Sequence, residues 1–529
     1  MKTTQSLILG MMVSAALLAT SCSEDFLNVE KPDGEPLEEY YNSKEHIEEA
    51  VIAAYDPIHW HDWGLNQYNA YNIDSEIMGD DFWVGGANYQ DMLHWHMLGN
   101  FEATADQTLS TLWTIDYSGV KRCNDALKYL TWVELDPSYE TSCEMQVRGL
   151  RVFYYNNLWH LFGNVPFYLE NLTASTNYTA PQLKADEVYE LLINELEEVI
   201  DSKVLPMKWD DNNAGRVSQA MVIMMYAEMV TYQNDTQRFS KALSYLKDQL
   251  IGQGKYTLYP DFRGIWLTEG EWCSESIWEI NYDQTQSERD WGSGLAIGGM
   301  VIPTLISPND WHNGDGWAED GNQDGWGFLP MRLRTLQMYD ANDTRIAGTV
   351  WDVRGTEYTL RDADTHLWLF KYRPFDVNNA NGTSSKNLNY ANNYRVYRYA
   401  EALLYAAELS LRASNGNAAD AVKYVNEVRA RAGITQLSSV TLDDVFTERH
   451  KELVGEGKRY FDLVRAEFMT DNQVSSANKA TGVLVPAQDE GVVGSQRTNA
   501  WKPTKKYIPI YQAELDSDPA LVQNEDYFK

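Results

Sequence analysis

The stretch ERHKELVGEGKRYFDLVR, residues 448–465, decides the reading of this 529-residue chain. It carries the marks of an amphipathic helix whose start signal lies just upstream. Thr441 is placed to cap, and Asp443 and Asp444 put negative charge in the first turn, where the helix dipole favours it. Leu442, Val445, Phe446 and Leu453 recur at helical spacing and are expected to face a core. Glu452, Glu456 and Arg459 stand three or four residues apart, a spacing that lets them meet on one side of a helix. Gly455 and Gly457 are poor helix formers, so they point to close backbone packing or to a break. The stretch reads as a docking helix with ion pairs, not as a pair of catalytic carboxylates.

Working outward, two more helices precede it: NNYRVYRYAEALLYAAELSLRA (392–413) and AADAVKYVNEVRARAGI (418–434), the second closed by Gly433 as a C-cap. Upstream, residues 252–394 lose helical periodicity. Nine of the 18 tryptophans fall there among Gly, Asn and Asp, so loops with a few short strands are expected, at 276–282 and 366–372. The first half alternates helices, near 43–59, 108–130, 141–162, 186–200, 218–233 and 238–250, with a long aromatic loop at 60–100. The 186–200 helix places Val188, Leu191, Leu192, Leu196 and Val199 on one face. Trp113, Trp132 and Trp159 lie in helical runs and are expected in the core.

The Glu, Leu, Glu-Gly, Arg and Asp-Leu-hydrophobic-Arg pattern of 448–465 resembles the hallmark helix of the RagB/SusD family, surface nutrient-binding lipoproteins of Bacteroidetes. Further motifs follow in the family's order. They are LFGNVPFYLE (161–170), with Asn164 where the family has Asp; the helix start at Gly215-Arg216-Val217-Ser218; MYDANDTR (338–345); the Arg-Tyr-Ala-Glu helix from Arg398; the Val-Asn-x-Val-Arg-x-Arg-Ala-Gly run ending at Gly433; and YIPIYQAELDSDPALVQNEDYF (507–528). The resemblance implies a mainly α fold. One domain would span 37–529, with helix pairs like tetratricopeptide repeats at 37–251 and 395–529 and a variable Trp-rich insertion at 252–394. The sequence itself shows helix pairs but no clean repeat at that period. The implied role is to hold an oligosaccharide at the cell surface and deliver it, unchanged, to a SusC-like TonB-dependent outer-membrane transporter. Some relatives are thought to take peptides, which leaves another nutrient as the alternative.

The N-terminus fits an exported chain. Lys2 and the short apolar run 7–18 read as a signal peptide, 1–21, too short to span a bilayer with ease. Ala19-Thr20-Ser21-Cys22 resembles a lipobox, with Ala19 in place of the usual Leu and Cys22 as the acylated first residue. Several acyl chains anchor where one does not. Residues 22–36 read as a tether, and Ser23-Glu24-Asp25 resembles the surface-export signal of Bacteroidetes lipoproteins. Without Cys22, three cysteines remain, which make no disulfide framework and no zinc spacing; Cys123 and Cys143 are expected to be buried, inert thiols.

The formal net charge of −34 excludes nucleic acid as a partner. Aromatic residues make up 12% of the chain, with 18 Trp and 33 Tyr, which suits sugar binding. Indole and phenol rings offer rigid faces to the CH side of a pyranose, and Asn, Asp, Gln and Arg hydrogen-bond its hydroxyls. That mixture occurs in 60–100 and 284–326. By their polar, Gly-rich surroundings, Trp83, Trp95, Trp291, Trp311 and Trp317 are the candidate platforms, expected to line one exposed cleft. Asp320, Asn322 and Asp324 have the spacing of a calcium loop, but Met331 stands where an EF-hand has its closing Glu, so a structural Ca2+ is a candidate and no cofactor is required. His59 with His61, and His94 with His96, offer only two metal ligands each. No G-x-S-x-G, H-E-x-x-H or P-loop motif occurs, so an enzyme is not expected, a surface glycosidase being the catalytic alternative.

Overall fold

The computed structural model describes residues 36–65, 67–283, 289–296, 298–311, 325–375, 385–470, 473–487 and 491–527. Cys22, Trp317, Asp320, Asn322 and Asp324 lie outside them. Among the described residues no helix is long and apolar enough to cross a membrane.

The scaffold is helical. Its longer members are α1 (Lys44–Tyr55), α2 (Tyr71–Met78), α3 (Leu112–Leu130), α4 (Pro137–Phe162), α5 (Ala185–Ser202), α6 (Gln219–Gln233), α7 (Phe239–Ser244, continuing as a π-helix to Ile251), α8 (Tyr399–Arg412), α9 (Ala418–Arg431), α10 (Leu442–Leu453) and α11 (Arg459–Glu467). Consecutive helices pack on each other: α3 on α4, α4 on α5, α5 on α6, and α8 on α9. This is the helix-pair architecture expected. Local chemistry sets the ends. Asp136 accepts from the Ser138 and Tyr139 backbone N–H groups, and Pro137 sits at the first position of α4, where a missing N–H costs nothing. Ser43, Ser218 and Asn417 cap α1, α6 and α9 in the same way.

Strands are few and short. β1 (Val165–Pro166) pairs with β2 (Gln182–Leu183), β3 (Ser276–Ile280) with β6 (Tyr394–Arg398), and β4 (Val350–Asp352) with β5 (Leu367–Leu369), all antiparallel. β3 is buried along its whole length, and its ladder with β6 joins the start of the Trp-rich segment to the closing helices.

Two packing expectations are corrected. Leu191 points outward from α5, 44% exposed, because the buried face is carried by Val188, Leu192, Leu196 and Val199 without it. Trp132 lies just past the end of α3 and is half-buried, tilted against Tyr129 and beneath Lys128. Trp113 and Trp159 are core, as expected, and Cys123 and Cys143 are buried free thiols.

The 448–465 stretch is not one helix. α10 ends at Leu453 and α11 begins at Arg459, with Gly455 and Gly457 between them at φ of 78° each. A Cβ at Gly455 would lie 2.5 Å from Leu369 Cδ1, so both the left-handed backbone and the close approach require glycine. Glu452 and Glu456 still meet across Arg398, whereas the break turns Arg459 away to a separate partner. Glu452 meets Arg345, Arg398 and Arg431; Glu456 meets Arg398 and Lys371; Arg459 meets Asp80. Arg345 also holds Asp343 and Glu448, and Arg429 holds the other oxygen of Glu448. The motifs around 345, 398, 429–431 and 448–456 thus converge in one buried lattice of charge. Removing a single member would strand its partners away from water, at a cost of roughly 3–5 kcal/mol.

Candidate functional site

Two loops far apart in sequence meet at the surface and carry aromatic rings. Trp63 and Tyr68 come from the loop after α1. Trp291 and Trp326 come from the Trp-rich segment. Trp291 stacks on Trp326 at 5.7 Å and 29°, and meets Trp63 edge-on at 5.6 Å and 68°. Tyr68 packs on Trp326 at 5.6 Å and beside Trp63 at 6.3 Å. Trp63 and Tyr68 are buried, Trp326 is half-buried, and Trp291 is 52% exposed. The buried rings form a base, and Trp291 offers indole surface to water. Tyr68 keeps its proton: burial, with Asp62 nearby, pushes its phenol well above the usual value.

A charged clasp holds this arrangement. Arg289 is fully buried and spends all five guanidinium N–H groups. It donates to both oxygens of Asp62 at 2.6 and 3.0 Å, to the Gly294 and Gly299 carbonyls at 3.0 and 2.7 Å, and to the Trp63 carbonyl. Asp62 in turn accepts from the Trp63 and Val301 backbone N–H groups, each at 2.7 Å. One bidentate pair thus pins both loops together. Beside Trp291, Asp290 Oδ1 accepts from Gly292 N and Ser293 Oγ, both at 2.7 Å, closing a tight turn that presents the indole. The Ser293 hydroxyl and these backbone N–H groups hold the Asp290 carboxyl below its usual pKa. At Gly294 a Cβ would come within 2.8 Å of the Trp63 ring, so the turn lies flat on the indole only because that position is glycine.

The structure separates the five tryptophans singled out by sequence. Trp291 is in the cluster, and Trp317 lies outside the described residues. Trp83, Trp95 and Trp311 are corrected: they are 4%, 0% and 4% exposed and belong to the core. Trp95 sits in a short helix, donates its N–H to Asp74 Oδ1 at 2.8 Å and meets Phe328 edge-on. Trp83 lies under the Arg332 guanidinium at 4.3 Å, and Trp311 is wedged between Trp351 and Tyr358. Their Gly-rich surroundings reflect tight backbone bridges, Gly85 with Phe328 and Phe82 with Met331, rather than exposure. The two stretches named from composition, 60–100 and 284–326, do supply the site, but through Trp63, Tyr68 and Trp326 beside Trp291.

The histidine pairs do not present themselves to a metal. His61 Nε2 faces Asp116 Oδ1 at 3.0 Å and Tyr71 Oη at 2.6 Å, and His96 Nε2–H donates to the Gly85 carbonyl at 3.1 Å. Burial drives the His94 pKa down to about 4. Among the described residues, Asp80, Asp81 and His450 lie close enough to share an ion. However, Asp80 is already paired with Arg459 and Arg334, and Asp81 with His450 and Thr335. That grouping is complete as an ion-pair network without a metal.

Comparison with known proteins places this architecture. The model of the SusD family matches residues 274–527. A SusD-like protein of Bacteroides ovatus is 23% identical over 86% of this chain and 81% of its own length. Among solved structures, surface glycan-binding protein A from Bacteroides uniformis superposes with a TM-score of 0.83 at 59% identity, covering 91% of this chain and 99% of that one. Surface glycan-binding protein A from Bacteroides thetaiotaomicron, solved in complex with laminarihexaose, gives 0.82 at 46% identity, over 91% and 99%. With its helix pairs, its closing motifs and a 59% identical relative matched along nearly its whole length, this chain belongs to the SusD family.

Proposed function

We propose that the protein binds a neutral glycan reversibly, a laminarin-type β-glucan in the first instance, on the Trp63–Tyr68–Trp291–Trp326 cluster, and does no bond chemistry. The observation that carries this is the half-exposed Trp291 indole, stacked on Trp326 and locked by the Arg289–Asp62 clasp. A rigid, preorganised ring can take the CH face of a pyranose with little ordering cost. The ligand class is suggested by the relative solved with laminarihexaose. In this reading Cys22 carries the lipid anchor on the outer surface of the outer membrane, and a SusC-like TonB-dependent transporter receives the glycan.

Calorimetry with laminarihexaose tests the binding. The wild-type chain should bind, and Trp291→Ala should weaken binding by about tenfold or more, the scale of one stacked ring lost. Chromatography of the glycan after long incubation should return it intact. Equal affinity for both proteins would remove the site, and shortened glycan would remove the non-catalytic reading.

A further inference from the structure

Beside the 56–63 segment lies a cleft of about 390 Å³. Its walls are the end of α1 with Ile52 and Tyr55, the turn carrying Asp56 and His59, the end of β3 from Ile280, and the backbone of 214–216. Trp278 lies at its floor, its indole N–H given to the Gly215 carbonyl at 2.9 Å. The lining is mostly apolar, with a few polar groups at its edge, and the volume falls in the range of small-ligand sites. Ile52 stands at the rim, 53% exposed.

The polar groups favour an uncharged, hydroxylated ligand. Arg216, the one cation of the lining, is already paired with Glu48, while Asp56, Glu279 and Asp283 add carboxylates, so the cleft does not suit an anion. Asp56 is held by Arg122 at 2.6 Å and Glu279 by Asn393 at 3.0 Å, so these carboxylates are already engaged and do not call for a cation. His59 is kept neutral, since burial and the nearby Arg289 charge lower its pKa. Its Nε2 is buried, so the ring lines the cleft as an uncharged surface.

The cleft and the cluster share both of their loops. Ile58 and His59 face the cleft, and Trp63 belongs to the cluster. Gly298 lines the cleft and Trp291 crowns the cluster, while the Leu295 backbone lies beside the His59 ring. Trp63 stands four positions beyond His59, a span of about 8 Å as a tight helix and about 14 Å if extended. A few sugar rings cover that distance.

We propose that this cleft is a second subsite of the same binding surface, receiving one or two further sugar units of a neutral glycan whose first units lie on Trp291. The inference rests on the proposed glycan-binding function. It predicts that chain length matters. Short chains use the tryptophan cluster alone, and longer chains gain affinity by reaching the cleft.

The test is calorimetry with laminari-oligosaccharides from the disaccharide to the hexasaccharide, on wild type, Trp291→Ala, Ala214→Trp to block the cleft, and His59→Ala to remove its imidazole. Thermal melting checks that each variant is folded, and His59→Ala stands in should the larger substitution fail to fold. The expected result is that Trp291→Ala weakens binding at every length. The two cleft variants should match wild type for the disaccharide but lose about tenfold for the hexasaccharide. Cleft variants equal to wild type at all lengths, beside a weakened Trp291→Ala, would overturn the subsite and leave the glycan reading standing. Failure of wild type to bind any of the oligosaccharides, or a Trp291→Ala protein that binds as well as wild type, would overturn the reading on which the subsite depends.

Discussion

Trp291 has half its surface in water, while Arg289, two positions earlier, has none. That contrast is the chemistry of the site at the scale of single residues. A ring left open to solvent is useful for binding only if its base does not move, and Arg289 immobilises the base by bridging Asp62, 227 positions away. Arg289→Lys keeps the charge but cannot reproduce a planar five-donor fork. We expect it to lower laminarihexaose affinity about tenfold through loss of preorganisation, and to raise acrylamide quenching of indole fluorescence in the free protein. Unchanged affinity and quenching would show that the clasp does not position the ring. Much of this residue-level detail was illegible in the sequence. Trp83, Trp95 and Trp311 look as polar and glycine-rich in their neighbourhoods as Trp291 does. Glycine near a tryptophan marks either an open turn or a backbone packed close in the core, and linear neighbours do not separate the two. Tertiary partners such as Asp74 for Trp95 and Arg332 for Trp83 decide it.

At the scale of elements, the organising piece is the break between α10 and α11. The sequence announced it through Gly455 and Gly457, and it announced the cap at Thr441, whose side chain accepts from the Asp444 N–H as part of a capping box. It did not announce the partners, because Arg345, Arg398 and Arg431 come from separate segments and meet Glu452 only in the folded chain. Burial alone would raise the Glu452 pKa, but Arg431, Arg398 and Arg345 outweigh it and hold the carboxyl at about 2, against 4.5 when free. A carboxyl depressed on folding contributes stability that is complete above its unfolded pKa. That stability is lost as pH falls through the folded value, so the window is pH 4.5 down to 2. The term is on the order of 3 kcal/mol. Asp462, held at about 2 by Arg449 and Arg465 against burial, adds to the same window. Thermal melting should therefore show wild type losing stability steeply below pH 4.5. Glu452→Gln should start several kcal/mol lower, by roughly 3–5, and show a shallower decline on acidification. Parallel curves for the two proteins would mean that Glu452 does not carry the acid sensitivity.

At the scale of the molecule, helix pairs and a capped, ion-paired frame hold rigid two long loops that would otherwise be free. Helix pairing, strands β3 and β5 and the Trp-rich segment were readable from periodicity and punctuation, whereas β6, Tyr394–Arg398, lies in the 392–413 run that reads as helix and is a strand because it pairs with the distant β3. The meeting of 60–68 with 289–295 was not readable, because it depends on where the frame places their ends. Under the proposed function, this frame presents Trp291 to a sugar. A crystal structure of the protein with laminarihexaose tests it most directly. The expected result is a pyranose ring lying flat on the outer face of the Trp291 indole, with Trp63, Tyr68 and Trp326 unmoved beneath it. A bound hexasaccharide elsewhere on the surface, with Trp291 uncovered, would contradict it.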